Sequence, residues 1–156
     1  MGERLAGFVY GTIVVLAVIV GGAKAYPQHA EVIAAMVAVT TLVFWLSHVY
    51  AHALAYSVGH NEHLSLDELR HIARREAALI EAGVPSIAAL VLGAFGVIST
   101  KAAVWIALGL GLAVLVAQGI MFARVERLSW LGTLVVITAN LSLGLMLIGL
   151  KLLVTH

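Results

Sequence analysis

Long apolar runs separated by short polar stretches dominate the sequence. Five of these runs predict membrane-spanning helices, over residues 5–23, 30–58, 84–98, 102–123 and 128–154. A bilayer-spanning helix needs ~20 mainly apolar residues, which four of the runs approach or exceed, whereas the third is shorter. The pattern therefore predicts an all-α fold, a polytopic membrane helix bundle of five transmembrane helices in one domain over residues 1–156.

A different pattern lies between the second and third runs. Ser65 and Glu68 have the spacing of a capping box, in which each side chain meets a free backbone N–H of the first helical turn. The positions that follow alternate with helical period, with Leu69 and Ala73 on an apolar stripe and arginines on the other face. The sequence therefore predicts an amphipathic helix over residues 66–82, lying on the membrane or packed under the bundle.

Composition supports the membrane assignment. The chain is 62% hydrophobic and 11% charged, with a mean hydropathy of +1.06. Soluble domains are nearer half apolar and about a quarter charged. The net charge of +1 provides no basic surface for nucleic acid, so the predicted partner is membrane lipid. The absence of cysteine excludes disulfides and thiolate metal sites within this sequence.

The basic residues are distributed unequally between the predicted loops. Cytoplasmic segments of membrane proteins carry an excess of lysine and arginine. Five alternating spans place six arginines with the N-terminus and three lysines on the opposite side: Arg4, Arg70, Arg74, Arg75, Arg124 and Arg127 against Lys24, Lys101 and Lys151. We therefore expect a multi-pass protein of the cell inner (plasma) membrane with a cytoplasmic N-terminus.

The second run carries ionisable side chains that membrane helices rarely contain. Trp45, His48, His52 and Tyr56 follow at i, i+3, i+7 and i+11, so they share one helix face. The His-x-x-x-His spacing of His48 and His52 suits two imidazoles that share one metal ion. The alternative interpretation is that these rings lie at the membrane interface with their polar ends in water.

Further candidate ligands follow the second run. His60, His63, Glu68 and His71 predict a collecting patch, which together with His48 and His52 forms one histidine–carboxylate cluster. Ligands without thiolate suit a divalent metal ion such as iron, manganese or zinc. The alternative interpretation is that His60, His63 and His71 are ordinary solvated residues, and that Glu68 complements the helix dipole in the first turn.

Three polar positions are candidates for a pathway or gate, together with Trp45 and Tyr56. Glu76 lies at the edge of the apolar stripe of the amphipathic helix, so we expect it to be partly buried. Gln118 and Asn140 place primary amides inside predicted spans, where an amide needs several hydrogen-bond partners. Joining neighbouring helices is the alternative explanation for both amides.

Several functions fit this set of residues. The leading hypothesis is a small transporter or binder of divalent metal cations, in which protons compete with metal for neutral imidazole. A histidine-gated proton or cation channel is the first alternative. A metal- or haem-dependent membrane enzyme, or a structural membrane protein without transport, are the further alternatives. Five helices barely enclose a path, so we expect a homodimer.

The order of these elements resembles the vacuolar iron transporter family. The resemblance rests on a glycine-bearing first span, the stretch from Ala38 to His52, the charged insert from Glu68 to Glu81, and the bent Gly83-Val84-Pro85 start of the third span. It implies a homodimer that exports divalent iron or manganese against protons. The stretch Phe44-Trp45-x-x-His48-Val49-Tyr50-Ala51 also resembles small integral membrane proteins of actinobacteria, which implies a bacterial origin.

Overall fold

The described chain consists of helices joined by short turns. A computed structural model describes the backbone of residues 2–60 and 64–154, and this part contains no strand. It forms seven helices: α1 (Gly2–Ala25), α2 (Ala30–His60), α3 (Leu66–Glu76), α4 (Ala78–Glu81), α5 (Val84–Ala94), α6 (Thr100–Val125) and α7 (Trp130–Val154). The predicted all-α helix bundle is confirmed.

Three helices are long and apolar enough to cross a bilayer by themselves. They are α1, α2 and α6, and their apolar segments are 22, 30 and 26 residues long. The apolar part of α7 whose side chains the structure describes, Trp130–Met146, is shorter. The fold is therefore that of a membrane-spanning protein, and the count of five spans stays a prediction.

The predicted third span ends earlier than expected. Helix α5 ends at Ala94 rather than at residue 98, and Gly96 adopts a positive φ of 72° in the turn that follows. Its 11 residues rise only about 16 Å, whereas the hydrocarbon core is ~30 Å thick. A bend of 51° joins α5 to Leu66–Glu81, and only together does this pair reach the length of a span. The helix within residues 84–98 is therefore shorter than expected, and a separate span there stays a prediction.

The predicted amphipathic helix is divided in two at Ala77. The N–H of Ala77 bonds to the carbonyl of Arg74, three residues earlier, instead of to that of Ala73. The indole Nε1–H of Trp45 donates to the free Ala73 carbonyl at 3.0 Å. A side chain of α2 therefore compensates for the missing helical bond and fixes α3 against α2.

The buried face of α3 differs from the predicted stripe. Ile72 and Glu76 are the buried residues of α3, whereas Leu66, which the pattern placed on the apolar stripe, is 73% exposed. The capping box is confirmed, since Ser65 Oγ accepts from the Glu68 N–H and Glu68 Oε2 accepts from the Ser65 N–H. The burial of Glu76 is also confirmed.

Glycines let α4 lie directly against α1. A Cβ on Gly11 would stand 2.8 Å from the carbonyl oxygen of Leu79, and a Cβ on Gly7 would touch the methyl group of Ala78 at 3.4 Å. The Gly7-x-x-x-Gly11 spacing therefore receives a neighbouring helix, as such small-residue spacings do in membranes. An ion pair also joins these two helices, since Arg4 Nη2 donates to both carboxylate oxygens of Glu81, at 2.9 and 3.0 Å.

The apolar core fills the middle of the bundle and the end that holds the α1–α2 and α5–α6 turns. Its fully buried members include Leu16, Ile19, Ile33, Leu90 and Leu108, from α1, α2, α5 and α6. The opposite end, which holds the start of α1 and the α6–α7 turn, is less tightly filled. We call it the N-terminal end, and the candidate site lies there.

Close packing at Gly11 predicts that the free energy of unfolding depends sharply on the size of the side chain at this position. Gly11→Ala should lower the free energy of unfolding by about 1–3 kcal/mol, because the added methyl overlaps backbone atoms of α4. Thermal unfolding of the purified protein in detergent measures the change. Gly109→Ala is the matched control, since nothing lies within 4 Å of a Cβ there. Equal unfolding temperatures of the two variants would contradict the inferred contact.

Candidate functional site

A cavity of about 720 Å³ opens at the N-terminal end of the bundle. Helices α1, α2, α3, α4, α6 and α7 all contribute to its walls, which are mostly aliphatic and aromatic. Six polar or ionisable side chains line it: Tyr10, His48, His52, Glu76, Gln118 and Asn140. Tyr10 is 46% exposed and the His52 side chain 44%, so the cavity is open rather than sealed.

An imidazole and a carboxylate meet in this cavity. His52 Nε2 lies 3.4 Å from Glu76 Oε1, and the side chain of Glu76 is only 11% exposed. The same oxygen accepts a hydrogen bond of 3.3 Å from Arg75 Nε. Glu76 is the last residue of α3, where the helix dipole disfavours a negative charge, so these two cationic or protonatable partners supply its stabilisation.

His48 lies one turn before His52 on the same helix and has a fixed orientation. Its Nδ1 is 3.0 Å from the carbonyl oxygen of Phe44. Because a carbonyl only accepts, Nδ1 carries the hydrogen, and the lone pair of the neutral ring is on Nε2. The rings of Tyr10 and Phe44 hold the imidazole, with centroid distances of 5.7 and 6.1 Å. His48 therefore presents one defined acceptor nitrogen, Nε2.

The predicted metal ligands Glu68 and His71 do not line the cavity. Glu68 bonds to Ser65 in the capping box and accepts a hydrogen bond from the Tyr56 hydroxyl. His71 is an exposed residue of α3. His63 and the side chain of His60 lie outside the described residues. In the described part, the structure brings together His48, His52 and Glu76, rather than the histidines with Glu68 and His71.

Trp45 and Tyr56 hold helices together instead of lining the cavity. Trp45 donates to Ala73 of α3, and Tyr56 bonds to Glu68 of the same helix. Both contacts join α2 to α3 and so place Glu76 beside His52. Of the five predicted pathway or gate residues, Glu76, Gln118 and Asn140 line the cavity.

No metal centre is preformed in the described part of the chain. Among these residues, no group of three or more histidine, aspartate or glutamate side chains is close enough to hold one ion. His52 and Glu76 form a pair, and His48 requires a side-chain rearrangement to join them. Iron, manganese, zinc and haem, each named from the sequence, stay predictions.

The two buried amides differ in their bonding. Asn140 Nδ2 donates to the carbonyl of Leu115 at 3.3 Å and so joins α7 to α6, which is the helix-joining role weighed for it. Gln118 Oε1 is buried without a hydrogen-bond partner in the described structure. Thr12, Thr41 and Ser47, in contrast, donate to carbonyls of their own helices. Gln118 is thus the exception among these intramembrane polar groups.

Two residues of the site were not among the sequence-predicted candidates. Tyr10 packs against His48 from α1, and Arg75 bonds to Glu76. The sequence signal for Tyr10 was an isolated aromatic hydroxyl in an otherwise aliphatic span. No sequence signal distinguished Arg75 from Arg74, because the direction of both side chains depends on how α3 packs.

The fold and the cavity define an all-helical membrane protein with a partly ionisable pocket at one end. No family model, curated protein or solved structure matches the chain. The resemblance to vacuolar iron transporters therefore stays a prediction, and the arguments on function rest on the residues themselves.

The Trp45 contact predicts that α3 loosens when the indole N–H is removed. Trp45→Phe should cost about 1–3 kcal/mol, because the carbonyl of Ala73 loses its partner while the aromatic body remains. Hydrogen exchange of amides in residues 66–81 should become faster, as measured by mass spectrometry. Trp130→Phe, at a 72% exposed position, is the control. Unchanged exchange in Trp45→Phe would contradict the role of this bond.

Proposed function

We propose that this protein is a small membrane transporter or binder of cations, and that His48, His52 and Glu76 form the site where protons compete with the cation. The observation that carries this proposal is the 3.4 Å contact between His52 Nε2 and Glu76 Oε1 inside a mostly apolar cavity. An ionisable pair at such a position costs free energy, and in membrane proteins it commonly marks an ion pathway.

The chemistry of the pair supports competition between protons and metal. A neutral imidazole binds a metal ion through its free nitrogen, whereas a protonated imidazole is instead attracted to the Glu76 carboxylate. The other groups facing the site are Arg75, which bonds to Glu76, and the neutral Tyr10, Gln118 and Asn140. Glu76 is thus the single carboxylate among the described residues of the lining, and it is the group that balances a bound cation.

A divalent ion such as zinc or manganese is the cargo we propose. Two imidazoles and one carboxylate on the same wall match the oxygen and nitrogen ligands that these ions accept. Because the three side chains are not arranged around one point, water completes the coordination and binding is weak, as a transported ion requires. The predicted ligands Glu68 and His71 have no part in this site, since Glu68 caps α3 and His71 faces outward.

The position of the cavity supports a transport cycle in which a cation reaches the site from one side of the membrane at a time. At the N-terminal end the cavity is open, whereas the other half of the bundle is closed by the packed side chains of Leu16, Ile33 and Leu108. Transport requires this core to open. From the arginine excess at the N-terminal end, we propose that the open side faces the cytoplasm and that the membrane is the plasma membrane. A homodimer also stays part of the proposal.

Metal titration tests the proposed site. His52→Ala and Glu76→Gln should each weaken Zn²⁺ or Mn²⁺ binding at least about tenfold, equivalent to ~1.4 kcal/mol, because each removes one of few ligands. Isothermal titration of the purified protein measures the affinity. His71→Ala, which changes the same residue type at an exposed position, should bind as the unaltered protein does. Unchanged affinity in both site variants would exclude this site.

A second experiment separates cation exchange from a proton channel. The chain reconstituted in liposomes should move little charge across a pH step without divalent cations, because the apolar core blocks a continuous polar path. Added Mn²⁺ should produce proton movement that is lost in Glu76→Gln. A pH-sensitive dye trapped in the liposomes reports both. Proton current of equal size with and without Mn²⁺ would support the channel instead.

A further inference from the structure

Gln118 has a hydrogen-bonding group that is not part of the proposed cation site. The residue is only 7% exposed, and its Oε1 has no partner among the described residues. Leaving a buried amide oxygen unbonded costs about 1–3 kcal/mol. Gln118 also lines the cavity, and the last torsion of a glutamine is soft, so either end of the amide can turn toward a ligand.

A second amide stands beside it on α7. Asn140 Nδ2 donates a hydrogen bond to the carbonyl of Leu115, which lies one turn before Gln118 on α6. Gly119 lets α7 lie close to α6 here, because a Cβ on it would stand 3.3 Å from Ile137 Cα. Asn140 lines the same cavity, and its Oδ1 is an acceptor that the bond to Leu115 does not use. The two helices therefore present two uncharged amides to the same cavity.

The space in front of these amides suits an organic molecule better than water. A volume of about 720 Å³ is within the ~300–1,000 Å³ of small-molecule sites. Filling it with water would take roughly two dozen molecules at ~30 Å³ each, most of them without polar partners. Val9 and Ile13 of α1, Phe122 of α6 and Val136 of α7 supply apolar walls around the amides.

We propose that the cavity binds a small single-chain amphiphile from the bilayer, whose uncharged head hydrogen-bonds to Gln118 and Asn140. A head that both donates and accepts, a primary amide or a hydroxyl, can bond to whichever end of the Gln118 amide turns toward the cavity. No lysine or arginine belongs to the described lining, and the Glu76 carboxylate lines the same cavity, so an uncharged head is favoured over an anionic one. The alkyl chain lies against the valine, isoleucine and phenylalanine walls. The two proposed sites use different groups of the same cavity, because neither amide contacts His52 or Glu76 through a hydrogen bond in the described structure.

Native mass spectrometry of the full chain with decanamide tests the proposal. The unaltered protein should retain one decanamide, and N,N-dimethyldecanamide, which cannot donate, should bind at least about tenfold more weakly. Gln118→Leu should also lose at least about tenfold in decanamide affinity. The variant should unfold at the same or a higher temperature, because it removes an unbonded polar group. A loss of binding accompanied by a lowered unfolding temperature would assign Gln118 a structural role and overturn the proposal.

Two further variants separate this site from the cation site. Glu76→Gln should retain decanamide binding even though it loses metal, so failure of one proposal leaves the other standing. Thr138→Leu, at an exposed position of α7 outside the lining, is the matched polar-to-apolar control and should bind normally. Equal decanamide affinity in Gln118→Leu and the unaltered protein would overturn the amphiphile site.

Discussion

The close approach of α4 to α1 is the contact on which the candidate site depends. At Gly11 the backbone of α4 occupies the volume that a side chain would fill, with the Leu79 carbonyl oxygen 2.8 Å from a Cβ position. This contact, the Arg4–Glu81 ion pair and the Trp45–Ala73 hydrogen bond hold the broken α3–α4 segment inside the bundle. Glu76 precedes the break by one residue, so the same contacts bring its carboxylate to His52.

In the described part of the bundle, the buried polar side chains follow one physical rule with one exception. A polar group in an apolar medium must be paired, and Thr12, Thr41 and Ser86 each satisfy a backbone carbonyl. Glu76 is paired with Arg75 and His52, but Gln118 has an unbonded oxygen. The paired ionisable groups are the basis of the proposed cation site, whereas the unpaired amide is the basis of the proposed amphiphile site. Both groups line the same cavity.

The two ends of the bundle have different packing and different chemistry. One end is filled by large aliphatic side chains, and Thr100 bonds across to the carbonyl of Gln28 to join its two turns. The N-terminal end holds the cavity and most of the arginines. A tightly packed half resists opening, because apolar cores tolerate few voids. For a solute to cross the bundle, the side chains of the aliphatic half therefore have to rearrange, whereas the cavity already provides space for the solute at the N-terminal end.

Periodicity and hydropathy alone determined the class of this protein, because the length and apolarity of a run are local properties. They predicted the long helices, the capping box at Ser65 and the partial burial of Glu76. Spacing along the chain grouped Glu68 and His71 with His48 and His52, but neither lines the cavity, because adjacency along the chain does not show which way α3 turns. The break at Ala77, the short α5 and the pairing of Glu76 with His52 depend on contacts between α2, α3 and α1. Only the tertiary structure decided these features, since a helix break is compensated by a side chain 28 positions away.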